Sequence, residues 1–310
     1  MDYPRNMAEL ERRFHTEQAC RDYIFNLRWP NGFRCPSCGG DAAWPATDTL
    51  LTCKRCRHRT TVIAGTIFER THQPLSVWFR AIWAVTTQKS GTSALGLQRV
   101  LGISYKTAWT WLHKLRRAMI RPGRDKLGGV IEVDETYIGT LDEETRGREI
   151  GKKALVVVAA QADGKRIGRI RMRKIPDASG ANLLPFVRDF VEPGSCVHTD
   201  GWAGYKDLTS AGYDHKVSII GPKRKLATEL LPRVHLVVSL LKRWLLGTHQ
   251  GAVSYEHLDY YLDEFCFRFN RRTSRSRGML FYRLLQQAVA VDAVPYKRII
   301  LGIKRPKPKG

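Results

Sequence analysis

VIEVDETYIG, residues 130–139, is the stretch on which the reading of this chain turns. Branched apolar residues alternate through it and a glycine closes it, which predicts a strand. Alternation puts Glu132 and Asp134 on one face and Glu135 on the other, with Asp134 where the strand is about to end. Acids are depleted inside strands, so their presence asks for a reason. Outward from it, KKALVVVAAQ (152–161) and RIGRIRMRKI (166–175) read as two more strands, with the charged loop 140–151 after the first. DASGANLLPFVRDFV (177–191) reads as a helix capped by Asp177 or Ser179, and SCVHTDGW (195–202) as a fourth strand ending at Gly201. A helical stretch, a short strand near 217–220, and helices at about 236–246, 254–269 and 278–291 complete the pattern.

Three strands on short loops form an antiparallel meander, and a crossover helix then sets the fourth strand parallel to the first. This is a ribonuclease-H-like order, in which catalytic carboxylates sit on the first and fourth strands. Asp200 closes the fourth strand just before Gly201. An acid at the end of each of two adjacent strands suits two bridged divalent ions, which activate a hydroxyl and stabilise a leaving phosphate oxygen.

Composition narrows the partners. The 310 residues hold 52 Lys+Arg against 29 Asp+Glu, a net charge of +23 that points to a polyanion. The longest clear apolar run, 155–160, is far too short to span a bilayer, and residues 1–15 have no apolar signal core. The expectation is a soluble cytoplasmic protein whose polyanionic partner is a nucleic acid rather than a membrane surface. At roughly 150 residues per domain, two or three domains are expected.

Cys35-x2-Cys38 and Cys53-x2-Cys56 form two knuckles, four thiolates for one tetrahedral Zn²⁺. The polar segment around them lacks apolar residues for a core, which favours a structural zinc over buried or redox cysteines. His58 is an alternative ligand, and Lys54, Arg55, Arg57 and Arg59 suit phosphate contact. Residues 90–119 have helix-turn-helix proportions, a helix at 92–101, Gly102, and a second helix capped by Ser104. Lys106, Thr107, Thr110, Lys114 and Arg117 share the polar face that a groove reader presents. Arg271, Arg272, Arg275 and Arg277 read as a DNA backbone track.

The helix at 236–246 is apolar almost all round, which predicts deep burial, except for a stripe of His235, Ser239 and Lys242. Two readings of the stripe stand. It faces the metal site, with His235 as ligand and Lys242 on a phosphate, or His235 is a core histidine and Lys242 reaches to the surface.

RWPNGFRCPSCGG, SYKTAWTWLHKLRRAM, IEVDETYIG, TDGWAGY, LKRWLLGTHQGAV and YLDEFCFRFNRRTSR together resemble bacterial insertion-sequence transposases of the DDE class, in the zinc-ribbon ISXO-like group. The resemblance runs almost end to end. It implies a multidomain α+β protein: a helix and zinc ribbon over 1–65, a helix-turn-helix over 66–122, a ribonuclease-H-like catalytic domain over 128–290 and a basic tail over 291–310. It implies two-metal (Mg²⁺ or Mn²⁺) DNA cleavage and strand transfer at terminal inverted repeats, by a homodimer or larger assembly on double-stranded DNA, at the nucleoid. Asp134 and Asp200 match the first two catalytic acids, and His235 stands where acidic relatives carry Glu, seven residues before Lys242. Glu229, Glu256 and Glu264 are fallback carboxylates. A DNA-binding remnant and a nuclease without strand transfer are the competing readings.

Overall fold

The computed structural model describes residues 2–121, 123–139, 153–218 and 230–302. The charged loop, the end of the short strand expected near 217–220, Glu229 and most of the basic tail lie outside the described residues. Two compact units emerge, Met1–Arg121 with Ser274–Gly310, and Pro122–Thr273.

In the first unit, α1 (Met7–Arg13) and α2 (Glu17–Arg28) lead into an antiparallel ribbon of β1 (Ala43–Pro45), β2 (Leu51–Cys53) and β3 (Arg59–Thr60). The ribbon buries only Trp29, Phe33, Cys35 and Cys53, too few apolar groups to fold such a segment unaided. Three helices follow: α3 (Leu75–Thr87), α4 (Ala94–Leu101) and α5 (Tyr105–Ala118). Pro74 offers α3 no side-chain cap, and Glu17 supplies one from a distance, accepting from the Leu75 and Ser76 amides at 3.0 Å each. Gly102 ends α4 at φ +66°, a left-handed turn suited to glycine, and the Ser104 hydroxyl caps α5. Trp111 of α5 stacks on Trp78 of α3 with ring centroids 3.8 Å apart.

In the second unit, β4 (Val130–Ile138), β5 (Ala154–Asp163) and β6 (Arg166–Ile175) form the expected meander. The crossover helix α6 (Gly180–Phe190) delivers β7 (Cys196–Thr199) parallel to β4, and β8 (Asp214–Val217) adds parallel to β7. The sheet order β6-β5-β4-β7-β8 is the ribonuclease-H-like one. Ser179 holds the N-cap position of α6 without a side-chain bond. Asp177 ties the turn instead, accepting from the Ser179 amide and from Asn182. Ile131, Val133, Val197 and Phe186 pack in the core between sheet and α6. The opposite face is covered by α7 (Pro232–His249) and α8 (Leu258–Phe269).

Three expectations are corrected by the structure. β4 does not end near Asp134 but runs on to Ile138; what ends is its pairing with β7, at Glu132 opposite His198. The long helix spans Pro232–His249 and is buried on one side only, through Val234, Val237, Val238, Leu241 and Leu245. Leu236 and Leu246 lie on its other side and are exposed among the described residues. The third concerns α9 (Arg277–Ala288), expected as the last helix of the catalytic domain. It belongs to the first unit with α10 (Tyr296–Ile300), because Phe281 packs edge-on against Phe79 of α3.

Glu132 explains where α7 sits. Only 2% exposed, its carboxylate accepts the amides of Arg233 (2.7 Å) and Val234 (3.0 Å) and the Arg233 guanidinium (2.8 Å). Unpaired amides and the positive end of the helix dipole favour an anion at this place. Glu132→Ala leaves Arg233 and the first turn of α7 without their acceptor. It is expected to destabilise the second unit by about 3 kcal/mol in denaturant unfolding; a loss below about 1 kcal/mol would show that apolar packing alone docks the helix.

Candidate active site and zinc ribbon

The pairing of Glu132 with His198 carries Asp134 level with Asp200, one residue beyond β7. Alternation turns Asp134 toward α7, and the cap on Glu132 sets His235 one turn into that helix. Asp134 Oδ2 lies 3.6 Å from His235 Nε2, and Asp134 Oδ1 accepts the Glu135 amide at 2.8 Å. Asp200 is exposed and its Oδ1 accepts the Trp202 amide at 3.0 Å. Burial pushes the Asp134 carboxyl above its usual range and the Asp200 charge adds to this, against the Glu135 amide and His235.

For the neighbouring Glu135, alternation gives only a side chain on the other face. It lies on the α6 side, where Tyr205, fully buried, donates its hydroxyl to Oε1 at 2.5 Å. Burial raises the Glu135 carboxyl to about 7, with Asp134 and Asp200 adding and the Tyr205 bond opposing. Three carboxylates thus crowd the place where β4 and β7 part, a charge pattern that a divalent cation relieves, and the hard oxygen donors suit Mg²⁺ or Mn²⁺. Asp134, Asp200 and His235 do not all come within 4.8 Å of one another; among the described residues only the four ribbon thiolates form a cluster of three or more ligands that tight.

Other candidates are placed differently. Lys242 is exposed, about 10 Å along α7 from His235 at 1.5 Å per residue. Ser239 donates to the His235 carbonyl. Glu264 is 1% exposed and bonded to Arg268 at 2.8 Å, so it is occupied as an ion-pair partner. Glu256 is exposed in the turn before α8. Glu132, the strand acid next to Asp134 on its face, serves the helix cap. Its only sequence signal is an acid too apolar in its surroundings to be solvated.

The basic candidates are partly spent inside their own units. Lys114 is half-buried and donates to the Ile67 carbonyl at 3.0 Å, and burial lowers its pKa. Lys106 lies 4.4 Å from the centre of the Tyr296 ring. Thr110 bonds the Lys106 carbonyl, Thr107 bonds the Ser104 hydroxyl, and Arg117 is half-buried. The face expected to be free for a groove is therefore in part a packing face. Arg271 stacks on Phe267, and Arg272 stacks on Phe269 while bonding the Gly168 and Ile167 carbonyls, which staples α8 to β6. Arg275 and Arg277 are exposed.

In the ribbon, Cys35 and Cys56 sulfurs are 3.6 Å apart and Cys38 and Cys53 sulfurs 3.7 Å. All four lie within 4.8 Å of one another. Ligands at ~2.3 Å around tetrahedral zinc stand about 3.8 Å apart, so the cage fits the ion. Gly40 sits close against both knuckles, where a Cβ would come 3.3 Å from Arg55 Cβ and 3.4 Å from the Cys38 and Cys53 sulfurs. His58 is exposed and outside the cluster. The purified chain is expected to carry one zinc by elemental analysis. Cys53→Ser or chelation should open residues 29–62 to limited proteolysis; a ribbon equally resistant without zinc would contradict this.

The sheet order, with Asp134 and Asp200 where β4 and β7 part, defines a ribonuclease-H-like core in one unit, and the four cysteines a zinc ribbon in the other. Residues 126–270 match the ISXO2-like transposase domain, and residues 15–59 match the transposase zinc-ribbon domain. The chain belongs to the ISXO2-like insertion-sequence transposases, a group of the DDE class. It is 26% identical over 288 residues, 86% of this chain and 94% of the relative, to an uncharacterized protein in transposable element ISH50 of Halobacterium salinarum. Among solved structures, a Mos1 transposase paired-end complex with the left transposon end aligns at 12% identity and a TM-score of 0.31, covering 69% of this chain and 79% of that one. A Mos1 strand transfer complex aligns at 14% identity and 0.30, covering 68% and 75%. No described helix is long and apolar enough to cross a membrane.

Proposed function

We propose that this transposase cleaves DNA at the terminal inverted repeats of its element and joins the freed 3′ end to target DNA. The observation that carries the reading is Asp134, half-buried beside His235 and crowded by Asp200, at the place where β4 and β7 part. Asp134, Asp200 and His235 would hold the divalent ions. Two such ions supply an activated hydroxyl and a stabilised leaving oxygen for in-line displacement at phosphorus.

The protein's part is placement. Asp134 is fixed by the Glu135 amide and aimed at α7. His235 is fixed by the cap on Glu132. Lys242, exposed further along the same helix, is suited to a backbone phosphate. Arg275 and Arg277 offer exposed charge for the DNA backbone, and the ribbon's exposed Arg55, Arg57 and Arg59 do the same. Cutting paired ends calls for two active sites, hence a dimer or larger assembly on DNA.

A strand-transfer assay with terminal-repeat DNA and a plasmid target tests this. Joined product is expected from the wild type, at least 100-fold less from Asp134→Ala and His235→Ala, with end binding retained. Product lost only in Asp134→Ala would move the third ligand elsewhere, and end binding without cutting would favour a remnant. Imidazole is softer and less charged than carboxylate, so His235→Glu should shift the preference from Mn²⁺ toward Mg²⁺. An unchanged Mg²⁺/Mn²⁺ ratio would remove His235 from the metal.

A further inference from the structure

The pairing of β4 with β7 stops at Glu132 and His198, so no ladder bond fixes the distance between Asp134 and Asp200. Something else must hold the turn after Asp200. That turn runs through Gly201, at φ +91°, into a short helical turn at Ala203–Tyr205. It is pressed against the start of α6: the Trp202 indole N–H donates to the Ala178 carbonyl at 2.7 Å. Gly204 sits so close that a Cβ would come 2.5 Å from the same carbonyl and 2.8 Å from Leu183 Cδ1. These contacts anchor the turn to α6. The Tyr205 hydroxyl on Glu135 anchors it to β4.

We propose that Glu135 and Tyr205 are positioning residues whose hydrogen bond sets the gap between Asp134 and Asp200. The inference rests on the reading of those two aspartates as metal ligands. A continuous chain links them. Asp134 accepts the Glu135 amide, the Glu135 carboxylate accepts the Tyr205 hydroxyl, the Tyr205 amide donates to the Trp202 carbonyl, and the Trp202 amide donates to Asp200. Tyr205 is fully buried in the core between sheet and α6, and its hydroxyl is bonded to Glu135. A shift of about 1 Å in a metal-binding carboxylate is enough to cost much of the rate, so a buried tie of this kind has a large effect through small displacement. The alternative, Glu135 as a ligand in its own right, is opposed by strand alternation, which sends its side chain to the α6 side with Val133 and away from His235.

The two roles separate by substitution. Glu135→Gln keeps an oxygen acceptor for Tyr205 and removes the charge a ligand needs. Tyr205→Phe keeps the ring in the core and removes the donor. Glu135→Leu removes the acceptor, and Tyr205→Phe with Glu135→Leu removes both, so no buried carboxylate is left unpaired if Tyr205→Phe alone folds poorly. Each full-length protein, zinc-loaded and bound to a terminal-repeat duplex, is titrated with Mn²⁺ and followed by electron paramagnetic resonance. Its melting temperature and end affinity are measured alongside.

Tyr205→Phe, Glu135→Leu and the double variant are expected to raise the Mn²⁺ concentration for half-saturation by a similar ~3- to 10-fold. End affinity should stay within about 2-fold, and Glu135→Gln should stay near wild type. Glu135→Gln as damaging as Asp134→Ala would overturn the proposal in favour of a direct ligand. Unchanged Mn²⁺ binding in both the double variant and Tyr205→Phe would overturn it outright. Asp134→Ala is the control: if it leaves Mn²⁺ binding intact, the metal reading of the site fails, and that result is distinct from either of the others.

Discussion

A carboxylate buried in a sheet is costly unless its oxygens are taken up, and Glu132 is the one on which the catalytic unit is built. Its oxygens are taken by two amides at the start of α7 and by Arg233. The bond is geometric as well as energetic, because backbone amides allow one axial position and a narrow range of rotations. Apolar contacts through Val234, Val237 and Leu241 would tolerate a slide of the helix along the sheet. The cap does not. It fixes the helix so that His235 comes down on Asp134, two residues along the strand on the same face.

From that anchor follows an electrostatic tension. Asp134 and Glu135 are both held above the usual carboxylate range by burial, and Asp200 adds to each. A fold selected for stability alone would avoid this. Such crowding persists where function needs it. The remedy is a cation, and the same logic runs through the first unit, where four thiolates stand in for the core that the ribbon lacks. The ribbon thus depends on ligand chemistry where apolar packing is thin, and the proposed role of the second site gives its crowded acids the same remedy. The net charge of +23 adds the complement, a surface that favours a polyanion.

Much of this is legible in the sequence. The meander and the parallel fourth strand can be read because alternation, glycine stops and the length of the crossover helix agree with one another. The ribbon can be read because two CxxC knuckles in an apolar-poor segment leave little but a metal to hold it together. The cap residues Ser104 and Gly102 are visible for the same local reason. What escapes is long-range. Nothing near Glu132 announces that its partners lie a hundred residues away, and nothing near Glu135 announces Tyr205. The α7 sequence suggests burial all round, yet Leu236 and Leu246 are exposed, since composition reports how apolar a face is and not whether a neighbour covers it. The polar face of α5 is legible as polar, but Lys114 ends on a backbone carbonyl of its own unit. Chain order also misplaces α9, which packs on a helix far earlier in the sequence.

The central claim is that the cap on Glu132 presents His235 to the same ions as Asp134 and Asp200. An anomalous difference map from crystals of the full chain, bound to a terminal-repeat duplex and soaked in Mn²⁺, tests it most directly. The expected result is a peak bounded by Asp134, Asp200 and His235, with Glu132 still on the first amides of α7. A peak that leaves His235 outside its coordination, or one held on the α6 side of the sheet by Glu135, would contradict it.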